Sequence, residues 1–445
     1  MRPNLWKTVK GLLKDDYYRN SVILFIFTMA NNVSQYIFKI FANRNLTKEE
    51  YGLFGALLSL TQIIAVVGVV LKTWSTKAFS QIHSYGNHRS IPGTYRYFFI
   101  IIGIFLAVFS GLFLIFLPSI MKIYKTADAA PFFLLMAIIV FEYLKVPFNS
   151  FLESFGNFFG RSISLLTMIV VKVLVLGVFL FFSLTLAKTM WAVLIGYIAG
   201  FILFVIFSLP KAAKIDFQKQ DSPDKEISQK NFSFFYKIGL AIIFSTLLQT
   251  IDMQLARIRL GEALSGDFAT ARDLGSIVYW FGTITLPLFF ISINNAFHKK
   301  QNYLPVFLKG LFIVLGVTGV GLLGFIVAIR PFVNFYNPIY LSAIDAIRYY
   351  AISCVPYILI NLMLQFFISL DRYKVFIPLM LLALGQAALF YFFGQDMQSI
   401  IDIRFYSGIA ILLFMAVYFF VMRKKFYKAE PDEMDPALPV EDETL

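Results

Sequence analysis

Apolar residues along the chain gather into twelve long runs, at about 21–43, 53–76, 96–117, 131–153, 163–186, 190–209, 234–256, 273–297, 305–329, 349–370, 375–393 and 405–422. A run of about twenty apolar residues is what one helix needs to cross ~30 Å of hydrocarbon. The runs are continuous and lack the two-residue alternation of barrel strands, which excludes an outer-membrane barrel. The pattern predicts an all-α, polytopic membrane protein of about twelve transmembrane helices, and the even number places both termini on one side of the membrane.

The longest polar stretch between runs, 211–232, divides the helices six and six. A shift of 214 residues superposes Gln35 on Gln249, Ile37 on Ile251, Ala42 on Ala256, Leu46 on Leu260, Gly52 on Gly266, Phe54 on Phe268, Leu60 on Leu274, Ile63 on Ile277 and Gly68 on Gly282 without a gap. Nine identities in 34 positions, against roughly three from chance in so apolar a composition, indicate a duplicated unit. An even number of spans per unit gives both copies the same membrane orientation. Two pseudo-symmetric six-helix lobes are therefore expected about an axis along the membrane normal, with a substrate path between them. The predicted organisation is an amphipathic N-terminal segment (1–20), an N-lobe (21–210), a linker (211–232), a C-lobe (233–425) and an acidic, unstructured tail (426–445).

Composition sharpens this reading. Of the 445 residues, 59% are apolar and only 15% charged, against about 25% charged in soluble chains. The net charge of +13 could indicate nucleic acid, but the basic residues sit mainly in the polar connections, which is how orientation signals are placed. With the termini inside, 24 of the 39 Lys and Arg fall on the inner side, 11 in outer loops and 4 within spans. The positive-inside rule thus predicts cytoplasmic termini and linker. One cysteine, Cys354, and three scattered histidines leave no basis for a disulfide scaffold or a metal cluster. No cofactor and no nucleic-acid partner are expected.

The segment Arg44-Asn45-Leu46 through Glu49-Glu50-Tyr51-Gly52-Leu53-Phe54 resembles the signature of polysaccharide flippases, in the multidrug/oligosaccharidyl-lipid/polysaccharide exporter superfamily. Phe151-Leu152-Glu153-Ser154-Phe155-Gly156-Asn157 and the stretch from Phe366 to Lys374 are similar to that family's loops after the fourth and tenth spans. Thr47 departs from the family's usual glycine, which the second copy keeps as Gly261. The resemblance implies movement of an undecaprenyl-diphosphate-linked oligosaccharide between leaflets of the bacterial inner membrane by rocking of the two lobes. Turnover is open to H⁺, Na⁺ or the lipid gradient as its drive, and membrane lipids, a polysaccharide polymerase and glycosyltransferases are the expected partners.

Ionisable groups at mid-membrane are costly and usually face a cavity or a partner, so they are the site candidates. Thr28, Asn32, Gln35 and Lys39 form one polar stripe on the first span. Ser245, Gln249, Asp252 and Arg259 form another on the seventh, and the repeat predicts that both face the central cleft. Glu142, Lys145, Asn149 and Glu153 share one face of the fourth span, where Glu142 and Lys145 are three residues apart. That spacing permits either a self-neutralising pair or a substrate or coupling role. Lys172, central in the fifth span, has no carboxylate at helical spacing and needs Glu142, Glu153 or an anionic ligand. Lys72 either snorkels to the inner surface or lines the cavity.

Lys39, Lys72, Lys145, Lys172, Asn32, Gln35, Gln249 and Arg259 are accordingly the expected substrate contacts, and Glu142, Glu153 and Asp252 the expected ion-coupling carboxylates. The second lobe looks poorer in charge but offers Tyr279, Trp280, Tyr357, Asn361 and Gln365, groups suited to sugar rings. A cation-coupled exporter of cationic drugs is the rival within the fold, and calls for carboxylates with aromatic walls rather than lysines. A membrane glycosyltransferase or polymerase is the rival outside it, and would need larger outer loops than this chain has.

Overall fold

A computed structural model describes residues 16–86, 88–212, 225–298, 302–370 and 372–428. The expected N-terminal surface helix, most of the 211–232 linker and the acidic tail lie outside the described residues. Twelve spans follow in order: span 1 Asp16–Asn45, span 2 Lys48–Ser84, span 3 Ile91–Ile123, span 4 Ala130–Leu144 with Val146–Ser154, span 5 Phe158–Leu180 and span 6 Leu186–Ala212 form the N-lobe. Span 7 Lys225–Arg259, span 8 Glu262–Thr283 with Leu286–His298, span 9 Leu304–Tyr336, span 10 Ile344–Ser369, span 11 Phe376–Phe393 and span 12 Met397–Lys428 form the C-lobe. No strand occurs among the described residues.

Among the described residues, ten helices are long and apolar enough to cross a membrane. Span 4 is interrupted at Lys145 because Pro147 has no N–H to offer the carbonyl of Tyr143 and its ring crowds that turn. Spans 3 and 9 lie outermost, with 22% and 17% of their apolar windows buried, whereas span 10, at 67%, is central to its lobe. The repeat-related positions of spans 3 and 9 are thus matched in burial as well as in order.

Several helices outrun their apolar windows. Span 8 begins at Glu262 and span 12 at Met397, eleven and eight residues before the hydropathy pattern suggests. Arg272 and Arg404 therefore lie within spans and not in connecting loops. The connections between spans 1 and 2 and between spans 7 and 8 shrink to Leu46-Thr47 and Leu260-Gly261. Thr47 closes a capping box, its Oγ1 accepting the Glu50 N–H while Glu50 Oε2 accepts the Thr47 N–H. The threonine that departs from the flippase signature is thus a helix cap. Gly261 takes the same extended backbone in the second copy without a side-chain cap, so neither position requires glycine's conformational freedom.

The two lobes meet along spans 2, 7 and 8. A Cβ built on Gly52 would lie 2.7 Å from the Gly266 nitrogen, and one on Gly55 would lie 3.1 Å from the Ala269 Cβ. Gly52 and Gly266, like position 55 and position 269, are related by the 214-residue shift. Repeat-equivalent residues touch one another only where they flank a twofold axis, so the pseudo-symmetry axis runs between spans 2 and 8. The buried apolar cluster of the N-lobe continues across this seam to Met253, Ala256, Leu260 and Phe268. A second cluster fills the C-lobe around Phe307, Tyr357, Phe366 and Phe419.

Candidate functional site

At the end of the bundle away from the linker, polar groups of one lobe are paired with those of the other. Lys39 Nζ lies 2.6 Å from Asp273 Oδ1, and Lys48 Nζ 2.8 Å from Asp267 Oδ1. Tyr51 donates its hydroxyl to Asp273 at 2.6 Å and meets the Tyr336 hydroxyl at 3.0 Å. Asn43 donates to Thr270 Oγ1 at 2.9 Å, Gln254 donates to the Ala56 carbonyl at 2.8 Å, and Tyr124 donates to Gln254.

Two arginines repeat one arrangement about the axis. Arg44, ending span 1, donates from Nε to the Tyr336 carbonyl at 2.9 Å and from Nη2 to the Phe335 carbonyl. Arg257, near the end of span 7, donates from Nη2 to the Tyr124 carbonyl at 3.0 Å. Each guanidinium thus meets the free carbonyls ending the third helix of the opposite lobe, where both the helix dipole and the unpaired acceptors favour a cation. Together these contacts form a seal across the distal end.

The first-lobe charges fall at three depths. Nearest the linker end, Lys72 Nζ pairs with Glu153 Oε2 at 2.7 Å, and Arg161 Nε lies 3.5 Å from the same oxygen and donates to Asn149 Oδ1 at 3.0 Å. Two cations share one carboxylate there, leaving one positive charge. In the middle of span 4, Lys145 Nζ pairs with Glu142 Oε2 at 2.6 Å over the Tyr197 ring and leaves none. Lys172 sits eleven residues beyond Arg161 on span 5, about 16 Å along the helix.

Lys172 is 8% exposed, and among the described residues it has no carboxylate within pairing distance. Its Nζ donates to Gln35 Oε1 of span 1 at 2.5 Å and lies 4.7 Å from the Phe38 ring centroid. The lysine is held there by helix packing. A Cβ on Gly196 of span 6 would lie 2.9 Å from the Lys172 Cβ, and one on Gly200 would lie 2.8 Å from the Met168 Cβ. The small residues spaced Gly-x-x-x-Gly let spans 5 and 6 approach closely. Of the two carboxylates expected for Lys172, Glu142 is engaged by Lys145 and Glu153 by Lys72 and Arg161.

The stripe on span 1 turns toward its own lobe at Gln35 and reaches the seam only at Lys39. The stripe on span 7 divides. Gln249 donates to Ser245 Oγ at 3.0 Å and lines a cleft with Tyr357 and Asn361, Asp252 is fully buried against arginines, and Arg259 is exposed at the distal end beside Tyr391. Of the two stripes, Lys39 meets the opposite lobe, whereas Gln35, Gln249 and Asp252 meet polar partners within their own lobes. Asn32 is half-buried on span 1. Trp280 is 55% exposed on the periphery, whereas Tyr279 accepts a bond from Asn361 at 2.8 Å.

Arg257, Arg272, Asp273 and Arg404 escape the sequence reading because the hydropathy windows place the arginines in loops. The expected poverty of charge in the C-lobe is corrected by Arg272 and Arg404, both inside helices. The signal available for Arg257 is the repeat itself, which pairs it with Asn43.

The Glu142–Lys145 pair yields a direct expectation. Glu142→Gln or Lys145→Gln alone strands a buried charge, which costs roughly 3–5 kcal/mol. The double substitution removes both charges and restores stability and transport toward the parent level. Thermal unfolding in detergent together with a transport assay checks this; a double variant as inactive as the singles would give Lys145 a role beyond neutralising Glu142.

The profile of the "Polysaccharide biosynthesis protein" family matches residues 17–287. A search of curated protein sequences finds no match. Among solved structures, the chain resembles an inward-facing multidrug resistance MATE family transporter of the MOP superfamily, with 11% identity, TM-score 0.72, and 91% of this chain and 99% of that chain covered. An outward-facing structure of such a transporter gives 12% identity and a TM-score of 0.64 over 93% and 97% of the two chains. The lipid II flippase MurJ in an inward closed conformation gives 14% identity and a TM-score of 0.70 over 91% and 89%. The match over more than half of the sequence shows that the chain belongs to the polysaccharide biosynthesis protein family, on a twelve-span fold shared with these transporters.

Proposed function

We propose that the protein flips a polyprenyl-diphosphate-linked oligosaccharide across the bacterial inner membrane by alternating access of its two lobes. The observation that carries this reading is the unpaired Lys172 in the N-lobe interior. A buried ammonium without a carboxylate is expensive unless a ligand supplies the counter-charge. With the surplus cation at Lys72, Arg161 and Glu153, the lobe offers two uncompensated positive charges. A lipid diphosphate brings two negative ones. Lysines suit a passing phosphate, since an ammonium presents rotatable donors without a fixed fork geometry.

A drug-cation exporter calls for an unengaged carboxylate. Glu142, Glu153, Asp252, Asp267 and Asp273 are each held by a lysine or arginine. An H⁺ or Na⁺ that couples transport would act by loosening one of these pairs, and Glu153, shared by two cations, is the most exposed to such competition. The sealed distal end corresponds to the periplasmic side in this reading, and the linker end to the cytoplasm. Reconstitution into liposomes with a polyprenyl-diphosphate oligosaccharide tests the function: protein-dependent access of the saccharide to an enzyme outside the vesicle is expected, and access no faster than in empty vesicles would refute it.

Orientation has its own test. In a Cys354→Ala background, Ala127→Cys in the connection between spans 3 and 4 should react with an impermeant thiol reagent in intact cells. Tyr85→Cys, 75% exposed at the opposite end in the parent protein, should be protected until the cells are opened. The reverse pattern would invert the topology.

A further inference from the structure

The two surplus positive charges of the N-lobe are set apart in depth. Arg161 and Lys172 are separated by eleven residues of span 5, just over three helical turns, so their side chains leave the same face about 16 Å apart along the axis. Each is tethered at its own level: Arg161 Nε donates to Asn149 Oδ1 at 3.0 Å, and Lys172 Nζ donates to Gln35 Oε1 at 2.5 Å. A diphosphate carries its charges on adjacent phosphates. It therefore meets one of these groups at a time.

The cluster at the linker end has an open cationic face. Asn149 and Glu153, four residues apart on the second half of span 4, both face Arg161 Nε, at 3.0 Å and 3.5 Å. Among the described residues nothing engages the two Nη groups of Arg161, whose side chain keeps 20% of its surface. From span 2, Lys72 Nζ reaches the same Glu153 oxygen at 2.7 Å, with 27% of its side chain exposed. That oxygen is itself buried, so the carboxylate lies beneath its two cations. Arg161 also stands three residues past the start of span 5, where the helix dipole adds to the positive charge instead of offsetting it. An arginine that only orients the span snorkels toward the headgroups. This one turns its Nε onto span 4 and leaves free the Nη groups that take phosphate oxygens in charge-assisted pairs.

We infer that Arg161 and Lys72 form a loading station, which takes the diphosphate of the lipid-linked saccharide at the linker end before Lys172 receives it deeper in the lobe, with Glu153 as the anion that the diphosphate displaces. The inference rests on the flippase reading and adds an order to it, capture at one charge and crossing at the other. Glu153 has a use in that order. By holding the station to one surplus charge it lets the diphosphate leave again, where two free cations would retain it.

The test uses the full-length protein in phosphatidylcholine liposomes, with the initial flipping rate followed against the mole fraction of a polyprenyl-diphosphate oligosaccharide. Loss of a bond made on loading and kept until the crossing step raises the half-saturating amount and leaves the maximal rate, whereas loss of a bond made only in crossing lowers the maximal rate. Arg161→Gln should raise the half-saturating amount at least about tenfold with the maximal rate nearly unchanged, and Lys172→Gln should do the reverse. Lys72→Gln, which leaves Arg161 and Glu153 as a neutral pair, should act like Arg161→Gln and carries the test if that variant fails to fold. Glu153→Gln should move the half-saturating amount the opposite way, downward, which a purely structural role of the cluster would not do. An unchanged half-saturating amount in folded Arg161→Gln and Lys72→Gln, or the same kinetic defect in Arg161→Gln and Lys172→Gln, would overturn the proposal. A dependence on Arg161 that arises only when phosphatidylglycerol is added to the vesicles would also overturn it, assigning the site to a phospholipid headgroup. A parent protein that flips none of the saccharide lipid would refute the flippase reading itself.

Discussion

Lys172→Gln removes most transport of a diphosphate-linked saccharide while the protein still inserts and folds. Among the described residues Lys172 has no carboxylate to strand, so its removal leaves no buried anion behind there; Gln35 loses a donor. That asymmetry separates it from Lys145, whose replacement alone leaves Glu142 unpaired. Loss of a charge-assisted bond to phosphate costs about 1.5–3 kcal/mol, a factor of roughly 10 to 150 in rate where the bond is made during crossing.

Lys172→Glu, which puts a negative charge where the proposed mechanism passes a diphosphate, should abolish transport altogether. Lys172→Arg should retain part of it, limited by the close approach of Gly196 and by the different geometry of a guanidinium. Initial flipping rates in liposomes, with thermal unfolding as the control for folding, decide the matter. A Lys172→Gln variant that transports at the parent rate would remove this lysine from the substrate path.

Gly266→Leu is expected to prevent closure of the distal seal. A side chain at this position runs into the carbonyl and Cα of Lys48, with a Cβ-to-Cα distance of 3.0 Å, and on the facing helix Gly52 allows the same close approach. Overpacking ordinarily costs about 1–3 kcal/mol because neighbouring side chains adjust. Here the obstacle is backbone, so the cost falls at or above that range. Two lobe arrangements that differ by a few kcal/mol exchange dominance under such a load.

Opening the seal separates the Lys48–Asp267 and Lys39–Asp273 pairs and releases both arginine clasps. The readout is a cysteine at Ala56, fully buried beneath the seal in the parent protein, in the Cys354→Ala background. Its labelling from the distal side should rise steeply with Gly266→Leu and modestly with Gly266→Ala. Unchanged labelling in a folded Gly266→Leu variant would show that spans 2 and 8 do not control access from that side.

The hydropathy runs identify the spans well because hydrocarbon admits little else, but they misplace several helix ends. Polar residues close a hydropathy window whether or not the helix continues. At Arg257, Arg272 and Arg404 it continues, since each guanidinium finds an acceptor from another helix or connection: the Tyr124 carbonyl, the Gln249 carbonyl and the Asp252 carboxylate. The same blindness hides the C-lobe cluster of Asp252, Arg272, Tyr350 and Arg404, whose members come from spans 7, 8, 10 and 12 and share no local spacing. The Glu142–Lys145 pair, by contrast, lies three residues apart on one helix, so its alternatives are visible in the order of residues alone.

By itself, the order of residues determined the membrane class, the number of spans, the six-and-six division and the duplication, because each is a property of local hydrophobicity or of self-similarity along one dimension. It also determined that Gly52 and Gly266 are equivalent. Only the tertiary structure decided that these two glycines meet on the axis, and that Lys39 and Asp273 close a seal between lobes. It likewise decided which of four deep lysines lacks a counter-charge, leaving Lys172 while Lys39, Lys72 and Lys145 find theirs. The physical reason is that the cost of a buried charge depends on what lies within a few ångströms in space, and those neighbours come from helices up to 234 residues away in the chain.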